Sequence, residues 1–132
     1  MPILNVKISG QKNRETTKMV ADLLLDLTTR ILRKDKNLIA IAIDYIDHDN
    51  WIIGGQALSE QNQNSFYFDV KVTDETNTKD EKALYIKEAF QGFAKILGKL
   101  HPESYIYVQD VRATAYGYAG KTQEYRYHLG GS

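Results

Sequence analysis

The chain has 132 residues, enough for one domain with one modest core. Lys plus Arg and Asp plus Glu each total 17, so the formal net charge is zero and the basic surplus of a nucleic-acid binder is missing. There is no cysteine, which excludes disulfides, thiolate metal sites and Cys nucleophiles.

Residues 3 to 9 alternate, with Leu4, Val6 and Ile8 on one side and Asn5, Lys7 and Ser9 on the other, the pattern of a half-buried strand. Gly10 to Arg14 is a polar loop. From about Arg14 to Leu32, the residues Val20, Leu23, Leu24, Leu27 and Ile31 recur at helical spacing. Ile39 to Ile46 is a second strand, dense in isoleucine. Trp51-Ile52-Ile53-Gly54-Gly55 follows, its glycine pair suited to a tight turn.

The second half repeats this order. Phe66, Phe68, Val70 and Val72 alternate with Tyr67, Asp69, Lys71 and Thr73. Thr78-Lys79-Asp80-Glu81 has the form of a capping box, in which the Thr hydroxyl accepts a free amide and Glu81 reaches back. Ile86, Ala89, Phe90, Phe93 and Leu97 give a helical stripe that Gly98 can end. Tyr105 to Val111 is the last long strand, and Tyr116 to Gly120 the next turn. The end, Glu124-Tyr125-Arg126-Tyr127-His128, alternates and reads as a short strand docking on a neighbour. Leu129-Gly130-Gly131-Ser132 is either a native end or an appended one.

The halves align at a nearly fixed offset. Asn5 to Ser9 lies over Asp69 to Thr73 at a shift of 64, and Ile31, Ile41 and Gly55 lie over Ile96, Ile106 and Gly120 at a shift of 65. The organisation is therefore one domain over 1–132, with a first repeat at about 2–58, a second at about 65–120, and a tail at 121–132 expected to serve oligomerisation. Each strand–helix–strand unit should make two parallel strands with a right-handed crossover. Two units give an α+β fold: a four-stranded sheet with both helices on one face. The other face and the sheet edges then need a partner.

The order proline, strand, helix, strand, aromatic-x-x-Gly-Gly resembles 4-oxalocrotonate tautomerase. It is carried by Pro2-Ile3, Gly10, the Ile39 to Ile46 strand and Trp51 to Gly55. With the duplication, the chain resembles the fused, two-repeat members of the tautomerase superfamily, among them malonate semialdehyde decarboxylase, cis-3-chloroacrylic acid dehalogenase and macrophage migration inhibitory factor. The resemblance covers about residues 2 to 120. It implies a tautomerase fold, a homotrimer with sites between protomers, no cofactor or metal, and Pro2 as the catalytic residue. After removal of Met1, Pro2 carries a secondary amine. An α-amine titrates near pKa ~7.7–8.0, and burial or a nearby cation lowers it. A neutral amine can take a proton from carbon beside a carbonyl and return it elsewhere. With Met1 retained, Pro2 is an amide and cannot act as a base.

The resemblance also implies substrate-binding positions. Lys12, with Arg14 close by, stands where 4-oxalocrotonate tautomerase has a loop arginine, but Ala40 stands where it has a strand arginine. Glu75 and Asn77 replace the decarboxylase's arginine pair. Tyr105 and Tyr107 match site tyrosines of the inhibitory factor and the cis-dehalogenase, and lie over Ala40 and Ala42 of the first repeat. A phenol there can donate to a carbonyl or enolate oxygen; sheet packing is the competing role. Lys34 matches a site lysine. Arg112, past the last long strand, is a second candidate cation. Trp51 holds the place of a site phenylalanine, with Tyr116 as its second-repeat counterpart.

His48, His101 and His128 have no ligand spacing, and no GxxxxGK loop is present. No basic and apolar leader opens the chain, and no apolar run approaches the ~20 residues that span a bilayer. The expectation is a cytoplasmic enzyme, moving a proton in a small enol or keto acid. The alternatives are a non-enzymatic homo-oligomeric binding protein on the same scaffold, or a hydratase or dehalogenase variant.

Overall fold

The computed structural model describes residues 2–128, with side-chain surroundings through Tyr125. The readings that rest on Met1 and on the Leu129 to Ser132 end lie outside the described residues. In chain order the elements are β1 (Ile3–Ser9), α1 (Arg14–Arg30), β2 (Ala40–Ile46), the hairpin β3 (Ile52–Ile53) and β4 (Gln56–Ala57), and the short α2 (Leu58–Gln61). The second half runs β5 (Phe66–Thr73), α3 (Lys79–Leu97), β6 (Tyr105–Val111), the hairpin β7 (Gly117–Tyr118) and β8 (Lys121–Thr122), and α4 (Gln123–His128).

The long strands form one sheet in the order β2-β1-β5-β6. β1 pairs β2 in parallel, β5 pairs β6 in parallel, and β1 and β5 meet antiparallel at the centre. The two strand–helix–strand units are therefore related by a pseudo-two-fold axis through the middle of the sheet. Backbone bonds repeat with the sequence offset. Gly10 N–H donates to Ile46 O at 2.7 Å, and Asp74 N–H to Val111 O at 2.9 Å. Leu58 N–H donates to Trp51 O at 2.9 Å, and Gln123 N–H to Tyr116 O at 2.8 Å.

Alternation decides which face is dry. Leu4, Val6, Ile8, Phe66, Phe68 and Val70 are fully buried under α1 and α3. The helices add Val20, Leu24, Leu27, Tyr85, Ala89 and Phe93, and the Phe66 and Phe93 rings stack at 3.9 Å. Tyr85, rather than Ile86, takes the core position on α3, and Ile86 is exposed. The Tyr85 hydroxyl can go inside because it meets the Thr28 hydroxyl on α1 at 2.9 Å; burial pushes its pKa up. Caps end the helices as the residues suggest. Asn13 accepts from Thr16 N–H at 3.0 Å. Thr78 and Glu81 form both bonds of the capping box, and α3 stops at Gly98 with φ 67°.

The tail is a correction. Residues 123–128 form α4, not a strand. Thr122 caps the turn by accepting Tyr125 N–H at 3.1 Å, and α4 stands at a shift of 65 from α2. The five-residue alternation in Glu124 to His128 was too short to distinguish a strand from a helical turn. No helix among the described residues is long and apolar enough to cross a membrane.

The helix-free face carries side chains in rows set by the strand register. One row is Asp44, Lys7, Tyr67 and Tyr105, and the next is Ala42, Asn5, Asp69 and Tyr107; beyond them Ala40 pairs Ile3 and Lys71 pairs Gln109. Ile3, Tyr105 and Tyr107 are each about half exposed there. Asp69 is buried between partners, accepting from the Tyr67 hydroxyl and the Lys71 ammonium, each at 2.9 Å. Burial, then the Asp69 carboxylate, pushes the Tyr67 phenol pKa up.

Candidate active site

Pro2 is buried at the head of β1, and its carbonyl accepts the Ala40 N–H at 3.1 Å. That bond sets the start of the β1–β2 ladder and holds the proline ring against the segment entering β2. A cavity of about 470 Å³ opens beside it, lined by Pro2, Ile3, Asn37, Leu38, Ile39, Ala40, Tyr116, Gly117 and Tyr118. The first repeat thus supplies the strand start, and the second repeat supplies the hairpin that faces it. Tyr116 is fixed by a hydrogen bond between its hydroxyl and that of Thr73, at the end of β5. Gly117 must be glycine: a Cβ there would lie 1.9 Å from Lys121 O across the β7–β8 turn.

The pseudo-two-fold axis makes a second cavity at the opposite end of the sheet, about 680 Å³, lined by Trp51, Ile52, Ile53, Gly54, Gln56, Gln61, His101, Glu103 and Tyr105. Trp51, Ile52 and Ile53 stand there as Tyr116, Gly117 and Tyr118 stand at Pro2, and Glu103 and Tyr105 as Leu38 and Ala40. Phe66 takes the place of Pro2, fully buried and with the chain running on through Ser65. Gln61 closes the hairpin by donating to both Ile53 O and Gln56 O at 2.9 Å.

The expected site residues therefore divide. Trp51 and Tyr105 sit in the second cavity, away from Pro2 of the same chain. Lys12 is exposed in the loop after β1, also at that far end. Tyr107 lies mid-sheet on the helix-free face, its ring 6.0 Å from that of Tyr67. Lys34 and Arg112 are at the Pro2 end of the sheet but outside the cavity lining. Lys34 donates to the Thr76 hydroxyl at 2.9 Å. Its pKa is lowered by burial first and then by Arg33, with Glu81 and Asp110 opposing. Arg112 lines an adjoining hollow with Thr73, Asp74, Glu75 and Glu124.

Ala40, which stands where the tautomerase has its strand arginine, lines the Pro2 cavity directly. Asn37 and Tyr118, which no sequence pattern marks, line it too. In an antiparallel pairing of two repeats, each hairpin reaches the other repeat's strand start, so within one chain Tyr116, and not Trp51, lies beside Pro2. Among the described residues, no group of three or more His, Asp or Glu is placed to hold a metal ion.

No family model matches the chain. It is 29% identical over 66 residues to a probable tautomerase of Helicobacter pylori strain J99, covering 48% of this chain and 97% of that protein. Among solved structures, Pt0534 inactivated by 2-oxo-3-pentynoate superposes with a TM-score of 0.80 at 14% identity, over 93% of this chain and 97% of the other. A fused 4-OT described as a symmetric trimer superposes with a TM-score of 0.76 at 16% identity, over 92% and 96%.

Proposed function

Taking as premise that this chain has the tautomerase fold and resembles the tautomerase superfamily in sequence, we propose that it is a tautomerase-type isomerase acting on a small enol or keto acid through Pro2. The observation that carries the reading is the position of Pro2: buried at the head of β1, beside a cavity that a hairpin from the other repeat closes with Tyr116 and Tyr118. Once Met1 is removed, the Pro2 nitrogen is a secondary amine in apolar surroundings, which favour its neutral form. It accepts the enol hydroxyl proton and delivers a proton to carbon, with one group acting as base and then acid.

Among the described residues the cavity lining contains no Lys or Arg, so the substrate carboxylate must be met from outside it. Lys34 and Arg112 lie at this end of the sheet and are assigned that role. The protein assembles as a homotrimer, as the fused 4-OT does, with the helix-free face and the 121–132 tail taking part. A neighbouring protomer then brings its Tyr107 hydroxyl to the reacting oxygen, together with Lys12. Trp51 and Tyr105 reach a Pro2 site only by the same route.

The absence of a cation from the cavity lining favours one second reading, a homo-oligomer that binds a neutral ligand without turnover. One experiment separates the two. A panel of enol acids is followed by ultraviolet absorbance, with intact mass confirming loss of Met1. Proton transfer is expected in the wild type and its loss in Pro2→Ala, with the melting temperature retained. Unchanged conversion by Pro2→Ala removes the catalytic assignment.

A further inference from the structure

The cavity at the opposite end of the sheet has the architecture of the Pro2 site but different chemistry. Phe66, inside the chain, stands where Pro2 stands at the other end, so the second repeat brings no terminal amine to it. Among the described residues its only formally charged lining side chain is Glu103, and no Lys or Arg lines it. His101 faces it as a ring whose Nδ1 accepts the Glu103 N–H at 3.0 Å, so that nitrogen carries no proton. Tyr105 donates its hydroxyl to Glu103 Oε2 at 2.5 Å. That bond commits the single phenolic proton, and the carboxylate beside it pushes the Tyr105 pKa up. In this arrangement the Tyr105 proton is engaged by Glu103, and Glu103 keeps its second oxygen for a donor. The walls are the Trp51 indole and the side chains of Ile52 and Ile53, and Ile52 is 62% exposed.

We propose that this second cavity is a separate, non-catalytic binding site for a small organic ammonium ion with a planar apolar body. The ammonium donates to Glu103 and the body lies against Trp51 and Tyr105. Aromatic faces attract cations, tryptophan most strongly, and a hydrogen bond between opposite charges is stronger than one between neutral groups. An anionic keto acid meets only neutral N–H donors there, on Trp51 and His101, with the Glu103 carboxylate opposing it and no lining cation to offset that charge. The two ends of one sheet are thereby suited to ligands of opposite charge. This inference rests on the pseudo-two-fold geometry and not on turnover at Pro2.

Trp51 is the sole tryptophan of the chain, so intrinsic fluorescence reports on this cavity. The full-length protein is titrated with phenethylammonium and, separately, with 3-phenylpropionate, which has the same body and the opposite charge. A saturable change is expected with the ammonium alone. Glu103→Gln should weaken it by roughly tenfold or more, and Pro2→Ala should leave it intact even though that variant tests the catalytic reading. The proposal is overturned if neither probe perturbs Trp51. It is equally overturned if phenylpropionate binds as well as the ammonium, which would return Trp51 and Tyr105 to an anionic-substrate site.

Discussion

The Tyr116 hydroxyl is hydrogen-bonded to the Thr73 hydroxyl, which ties the second-repeat hairpin to the end of β5 and holds the Tyr116 ring against the Pro2 cavity. The hydroxyl is thus occupied in positioning, and the ring makes the wall. Tyr116→Phe should change kcat/KM only a few-fold and stability by about 0.5–1.5 kcal/mol, the net worth of one hydrogen bond. Tyr116→Ala removes the wall, and steady-state kinetics should show a larger rise in KM. Equal kinetics for the alanine variant and the wild type would place the substrate elsewhere.

Tyr107 is half exposed on the helix-free face, and its hydroxyl is assigned to the reacting oxygen of a neighbouring protomer. Tyr107→Phe keeps the ring contact with Tyr67 but removes the donor. A lost donor facing developing charge costs roughly 10²–10³ in rate. The expected result is a fall in kcat of that order with a nearly constant melting temperature. If kcat holds, Tyr107 is a packing residue, and Lys34 or Arg112 must meet the oxygen.

Thr28 and Tyr85 join the two repeats by a buried hydroxyl pair at 2.9 Å. Thr28→Val leaves the Tyr85 hydroxyl buried without a partner, at a cost of about 1–3 kcal/mol. Adding Tyr85→Phe removes the stranded group and should recover most of that loss. Urea denaturation of the two single variants and the double variant measures the coupling; additive losses would mean that the bond itself contributes nothing.

Glu81 gives a pH signature. Its carboxylate accepts the Thr78 N–H at 2.8 Å and faces the Arg33 guanidinium at 2.9 Å. The backbone bond first, and Arg33 second, lower its pKa from 4.5 to about 2. The folded value is below the unfolded one, so the stabilisation is complete above about 4.5 and disappears as pH falls toward 2. Thermal melts across that window should fall more steeply for the wild type than for Glu81→Gln. Parallel curves would show that the cap contributes no pH dependence.

The six long elements were legible because each is reported by periodicity or by a local bond. Alternation placed Leu4, Val6 and Ile8 inside, and Thr78 with Glu81 marked the start of α3. Relationships between distant segments were harder to read. Trp51 was assigned to the Pro2 site from its family position, yet within one chain Tyr116 fills that place, because the antiparallel β1–β5 pairing sends each hairpin to the other repeat. Tyr85 displaced Ile86 from the core through a hydroxyl partner 57 residues away, which no local pattern reports. The helix over 123–128 was predictable from α2, but Gln123 stands where the first repeat has Leu58 and hides the correspondence.

That each hairpin completes the opposite repeat's cavity has a consequence for descent. In an assembly of identical short subunits, a substitution appears in every site at once, so a change that harms one harms all. A duplicated and joined gene separates the copies. One end can then carry Pro2 while the other carries Phe66 in its place, with Trp51, Glu103 and Tyr105 around it. Neither copy can be discarded, however, since deleting either half would also take away the wall of the cavity that remained. The duplication is held together by mutual dependence while its two ends are released to specialise.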